Sequence, residues 1–208
     1  MDLFTAMTKT SELPGTPLAE QMPPPSRADL VGQEKVLNQI ERYLKSGVIP
    51  SMIFWGPPGT GKTTLAQILA TEVDAEFVAI NAVESGAKAL KEIGEAARDR
   101  RIQYQRKTLL FVDEIHRFNK AQQDVLLPFV EKGELILIGA TTENPSYELN
   151  RALLSRCRLI VFDRHTPDAL AKILSRTFEQ KKFIQNDSLD PQAQKTLLEW
   201  ADGDARRL

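Results

Sequence analysis

Between Arg27 and about Asp163, short apolar runs alternate with longer stretches whose apolar residues recur every three or four positions. The pattern predicts a helix near Gln33–Lys45, a strand at Met52–Trp55, and a helix carrying Leu65, Ile68, Leu69 and Val73. It continues with a strand at Phe77–Ile80, a charged helix near Ala87–Arg101, a strand at Leu109–Val112, a helix near Ala121–Val130, and strands at Leu135–Ile138 and Leu159–Phe162. Strands separated by helical stretches of this length predict an α/β fold, a parallel sheet covered by helices on both faces. From Thr166 onward the strand signal vanishes. Ala169, Ile173 and Phe178 suit one helix, and Asp190 as N-cap with Pro191 at the first helical position opens another carrying Leu197, Leu198 and Ala201. Gly203-Asp204 reads as a stop followed by a fresh N-cap, close to the last residue, Leu208. Met1–Pro25 holds five of the twelve prolines and little apolar periodicity, and is expected to be a flexible arm and entry segment. The expected division is therefore 1–25, an α/β core over 26–165, and a helical segment over 166–208.

The first predicted strand runs directly into Gly56-Pro57-Pro58-Gly59-Thr60-Gly61-Lys62-Thr63-Thr64, the G-x-x-x-x-G-K-[ST] spacing of a phosphate-binding loop. Glycines let the backbone wrap phosphates with its N–H groups. Lys62 is placed to reach the β- and γ-phosphates, and the Thr63 hydroxyl to ligate Mg²⁺. The helix that follows would point the positive end of its dipole at the same phosphates. A glycine–proline turn could match by accident in roughly one chain of this length in a hundred, given average glycine usage of ~7%. A second feature argues against accident. Thr108-Leu-Leu-Phe-Val112 is a continuous apolar run ending in Asp113-Glu114, as expected of a buried parallel strand delivering two carboxylates to its carboxyl end. Adjacent residues on a regular strand face opposite ways, so the pair can divide the work: Asp113 in the Mg²⁺ shell, Glu114 orienting and deprotonating the attacking water.

Composition narrows the classes without choosing among them. The 208 residues are 42% hydrophobic and 26% charged, ordinary for a globular protein with its own core. No apolar run approaches the ~20 residues of a spanning helix. The beginning, Met1-Asp2-Leu3-Phe4, lacks the basic and apolar regions of a signal peptide. Cys157 is the only cysteine, which excludes a disulfide within the chain and suits a reducing cytoplasm; with His116 and His165 as the only histidines, a zinc site of His and Cys is not expected. A net charge of −1 means that any nucleic acid must be met by a local patch.

Taken together, these motifs resemble the AAA+ ATPases, in the branch containing clamp loaders and the motor RuvB. The resemblance implies a P-loop NTPase core followed by a small helical lid, here only begun, with ATP and Mg²⁺ as ligands. Ile138-Gly-Ala-Thr-Thr142-Glu-Asn144 occupies the place of the family's γ-phosphate sensor, which makes Thr142 the first choice and Asn144 the second. Leu153-Leu-Ser155-Arg156-Cys157 matches the clamp-loader Ser-Arg-Cys motif, whose arginine is offered to a neighbouring subunit's ATP. Arg156 is the candidate, with Arg151 and Arg158 as alternatives. Gly203-Asp-Ala-Arg206-Arg207-Leu208 resembles the beginning of the lid helix that carries a second sensor, at Arg206. Pro17-Leu-Ala-Glu and Leu30-Val31-Gly32-Gln33 look like the segments that pack on the adenine.

His116-Arg117-Phe118-Asn119-Lys120-Ala-Gln122-Gln123-Asp124, with Gly139-Ala-Thr-Thr-Glu-Asn-Pro145-Ser146, narrows the resemblance to the replication-associated recombination (RarA, or MgsA) family. That implies an ATPase acting at stalled or damaged replication forks, with DNA and replication proteins as partners. The resemblance covers the first part of the family, whose members continue into the rest of the lid and a C-terminal oligomerisation domain. The chain is thus expected to be a fragment or a truncated form, with homo-oligomerisation the family's habit. Two rival functions stay open: an ATP-responsive binding module with negligible hydrolysis, and a clamp-loader-like subunit. For DNA the residues leave two readings. Arg98, Arg100, Arg101, Arg106 and Lys107 form a basic cluster that fits either phosphate contacts or a solvated helix end. The family resemblance favours Ser85-Gly86 and Asn119-Lys120, which precede helices facing the central channel in related rings. Asp2-Leu3-Phe4 reads as an untethered terminus more readily than as a docking motif.

Overall fold

A computed structural model describes residues 24, 26–179 and 190–208. The rest of the arm, with its Asp2-Leu3-Phe4 and Pro17-Leu-Ala-Glu segments, lies outside the described residues. The chain divides into two compact units: Gln33–Asp163, and the preceding segment up to Gly32 together with Arg164–Leu208.

The larger unit alternates helix and strand. α1 (Glu34–Lys45) buries Val36 and Ile40, one turn apart on one stripe. There follow β1 (Met52–Trp55), α2 (Lys62–Glu72), β2 (Glu76–Asn81), α3 (Ala87–Tyr104), β3 (Thr108–Asp113), α4 (Lys120–Glu131) and β4 (Ile136–Thr141). Two short helices, α5 (Pro145–Glu148) and α6 (Arg151–Leu154), lead to β5 (Arg158–Val161). All strand pairings are parallel, in the order β2-β3-β4-β1-β5. The three central strands are those with continuous apolar runs. Leu109, Leu110, Phe111 and Val112 of β3 are at most 2% exposed, so that strand is covered on both faces. On one face Leu110 and Val112 join Leu90 and Ala97 of α3 and Leu126 and Phe129 of α4 in a single cluster. Alternation turns Leu109 and Phe111 to the other face, where α2 packs on the sheet and the rings of Phe77 and Phe111 stack 6.3 Å apart.

β4 extends three residues beyond the Leu135–Ile138 run, through Gly139-Ala-Thr141, because ladder partners in β1 (Ile53, Phe54 and Trp55), joined at Gly139 by Val112 of β3, supply what side-chain propensity does not. α5 and α6 were not anticipated. Each is nucleated by an asparagine N-cap: Asn144 accepts from Ser146 N–H ahead of Pro145, and Asn150 accepts from Leu153 N–H.

In the smaller unit, α7 (Pro167–Glu179) buries Ala169, Leu170 and Leu174. Arg176 of α7 donates to Asp29 O at 3.0 Å. α8 (Pro191–Ala201) opens as the sequence predicts, with Asp190 accepting from Ala193 N–H and Pro191 in the first turn. Asp204 caps a final 3-10 turn, Ala205–Arg207, through Arg206 N–H.

Candidate active site

β1 ends at Trp55, beside Thr141 of β4, and Gly56 N–H donates to Thr141 O at 3.2 Å. The loop then turns through Gly61, whose φ of 91° is a left-handed conformation that a side chain would strain, and α2 starts at Lys62. No side chain caps α2. A helix N-terminus that opens directly behind a glycine loop is the arrangement that receives a phosphate. Inside the loop, buried Thr60 donates its hydroxyl to Pro57 O at 2.9 Å. Lys62 Nζ donates to Gly56 O at 2.8 Å and Pro57 O at 2.6 Å, which lays the ammonium over the loop backbone. Pro58 and Thr63 are exposed and Thr64 is half-buried.

β3 delivers Asp113 as its last residue, and Asp113 Oδ1 accepts from Glu114 N–H at 3.1 Å. Register places Val112 beside Gly139, one strand away from β1, so the loop, the two carboxylates and the end of β4 share the carboxyl edge of the sheet. Glu114 turns the chain with φ 54° and ψ 41°, a left-handed conformation costing a non-glycine residue about 1–2 kcal/mol. That turn aims its side chain away from the path a continuing strand would give it. The carboxylate lies 3.3 Å from His116 Nδ1, and the same nitrogen lies 2.9 Å from Thr141 Oγ1. A hydroxyl at Thr63 and a carboxylate at Asp113 are the hard oxygen donors that Mg²⁺ takes, so the residues present fit that ion.

Residues 52–164 match the family described as "ATPase family associated with various cellular activities (AAA)". The chain belongs to the AAA family. The chain is 47% identical to "ATPase WRNIP1" of Dictyostelium discoideum over 98% of its own length and 24% of the relative's. It is 46% identical to the "Replication-associated recombination protein A" of Haemophilus influenzae over 91% of its own length and 44% of that protein. The chain therefore spans less than half of the curated relatives named here. Among solved structures, the Thermotoga maritima RuvB Holliday junction branch migration motor superposes with a TM-score of 0.72 at 27% identity, covering 89% of this chain and 62% of that one.

The remaining candidates of this AAA chain are distributed unevenly. Thr142 lies exposed just past β4, and the Asn144 side chain is occupied as the cap of α5. Arg156 lies within its own unit against Glu131 of α4 at 2.6 Å, and also donates to Ala152 O at 2.6 Å and Ser155 Oγ at 3.1 Å. Arg151 and Arg158 are exposed. Val31, Gly32 and Arg206 belong to the other unit, where Gly32 approaches His165 and Arg206 Nε lies 3.5 Å from Asp204 Oδ1. Thr141 and His116 escaped the sequence reading as site residues. Their signal was only a tandem threonine and a histidine two residues past Glu114, and strand register is needed to join them.

The basic cluster is tied into the fold. Arg100 donates to Thr108 Oγ1 at 2.7 Å, Arg101 donates to Lys132 O and Gly133 O, and Arg106 meets Glu76 at 3.1 Å and Asp74 at 3.6 Å. Arg98 pairs with Asp99 at 3.8 Å. The contacts of Arg100, Arg101 and Arg106 fasten the end of α3 and the turn after it to neighbouring turns and strands. The other candidate surface is organised differently: Gln122 in the first turn of α4 donates to Ser85 O at 2.7 Å, joining the loops that open α3 and α4.

Proposed function

We propose that the chain hydrolyses ATP and belongs to a motor or remodelling protein acting in replication-fork maintenance, recombination or repair. The observation that carries the hydrolysis is the shared carboxyl edge, where an uncapped helix N-terminus behind a glycine loop meets Asp113 and Glu114. In this reading the loop N–H groups and Lys62 hold the phosphates, and Thr63 and Asp113 hold Mg²⁺. An ion held there would offset the negative charge of the phosphates. Glu114 orients a water and takes its proton as the water oxygen bonds to the γ-phosphorus and the bond to the bridging oxygen breaks, giving ADP and phosphate. Thr142, or Asn144, reports on the γ-phosphate from the end of β4. Arg156 serves the ATP of a neighbouring copy in a homo-oligomer. DNA, single-stranded or forked, is met at the joined Ser85-Gly86 and Asn119-Lys120 loops, and the setting is the cytoplasm. The replication role and these partners draw on the likeness to the recombination protein and to the WRNIP1 ATPase.

Two substitutions test the site. Lys62→Ala removes a phosphate's point charge and should weaken nucleotide binding, whereas Glu114→Gln should keep binding and lose phosphate release, because only water activation is removed. Fluorescent-nucleotide titration beside a phosphate-release assay separates the two phenotypes. Equal loss of ATP binding in both variants would end this division of roles.

A further inference from the structure

His116 sits in a 3-10 turn, Ile115–Arg117, whose N-cap is Glu114 itself. Its side chain is 8% exposed, against 38% for that of Glu114. A threonine hydroxyl has one hydrogen and two acceptor positions. Thr141 Oγ1 accepts from Glu143 N–H at 3.0 Å, and its own hydrogen has two acceptors in reach, Glu143 O at 3.3 Å or an unprotonated His116 Nδ1 at 2.9 Å. The carboxylate favours the first arrangement, with the hydrogen of the imidazole on Nδ1, since a bare ring nitrogen 3.3 Å from Glu114 Oε2 would set lone pair against lone pair.

A flexible glutamate at the lip of a site loses rate through every rotamer in which its carboxylate is out of line with the water it must activate. His116 supplies the restraint, because its side chain is buried and its partner Thr141 is fixed in the ladder opposite Trp55 of β1. We propose that His116 is a positioning residue, its Nδ1–H shared between Thr141 and Glu114 so that the carboxylate is held in register with the end of β4, next to Thr142. This rests on the assignment of water activation to Glu114.

The chain has two histidines, so ring-nitrogen NMR shows two imidazoles, and His116→Asn identifies one by deleting it. The expected spectrum has Nδ1 of His116 protonated at neutral pH, with its resonances displaced in Glu114→Gln and in Thr141→Val. In steady-state kinetics His116→Ala should lower kcat about 10- to 100-fold with nucleotide affinity changed less than about twofold. His116→Asn, whose amide N–H reaches the place of Nδ1–H, should recover most of that loss, and His116→Phe, which keeps bulk alone, should not. An unprotonated Nδ1, or parental turnover in the Ala and Phe variants while Glu114→Gln is inert, overturns the positioning role and leaves the site assignment standing. Parental turnover in Glu114→Gln removes the assignment itself.

Discussion

Cys157 packs half-buried against the core cluster, and burial pushes its thiol from 9.0 up to about 12. Two outcomes follow. At pH 8 the thiolate fraction is lowered by roughly a hundredfold or more relative to an unfolded thiol, so iodoacetamide should label Cys157 far more slowly in the native chain than in urea. The linkage has a definite sign. Between about pH 9 and 12 the unfolded thiol has lost its proton while the folded one keeps it, so the unfolded state binds fewer protons and stability falls as pH rises through that window. Cys157→Ala should flatten that decline in denaturant titrations across the same range; an equally steep decline in the variant would assign it elsewhere. At this scale the sequence was informative where chemistry is local. The phosphate loop needs one contiguous stretch, and the Asp113-Glu114 pair announces itself by ending an apolar run. Thr141 and Thr142 are indistinguishable as neighbours, and only the pairing of β4 with β1 shows which is buried.

At the scale of elements, apolar period was enough to place the main helices and strands, and caps written in sequence, such as Asp190-Pro191, placed α8. What period misses is structure stabilised by neighbours: the last three residues of β4, and α5 and α6, which are too short to show a face. Gly94 is another such case. In an isolated helix its replacement by alanine would stabilise by about 1 kcal/mol. Here the added Cβ would lie within 2.5 Å of three ring atoms of Phe129, across the α3–α4 contact, and that ring is held in the core cluster. Overpacking of this kind costs about 1–3 kcal/mol, enough to cancel or reverse the propensity gain. Gly94→Ala should therefore lower the urea midpoint at unchanged m-value, and Gly94→Ala with Phe129→Leu should regain part of it. A midpoint raised by the single change would mean that α3 and α4 are less tightly matched than these positions require.

For the whole molecule, charge has to be located and not summed, since the net value is −1. Arg100 and Arg101 are occupied within the fold, so replacing them should cost stability and leave the salt dependence of DNA binding nearly unchanged. Lys120, exposed beside the joined loops, should instead flatten the slope of log affinity against log salt by ~0.7 when changed to Ala on single-stranded DNA. Anisotropy titrations at several salt concentrations compare the two sites directly. Arg156 poses the larger question of whether one copy completes another's site. In the single chain its guanidinium is engaged by Glu131 and Ala152, both within its own unit, so service to a neighbour requires that these contacts be exchanged for phosphate oxygens. An arginine supplied across an interface contributes about 10³ or more to turnover, so Arg156→Ala should bind nucleotide normally and hydrolyse it poorly. Lys62→Ala should be inactive for the opposite reason, a defective site beside an intact arginine. Mixed in one assembly, the two should restore activity, because an interface pairing the Lys62 of one copy with the Arg156 of the other contains every required group. Light scattering must show that the mixture is oligomeric. If oligomers form and the mixture remains as slow as its components, Arg156 acts within its own chain, and its bond to Glu131 is its working position.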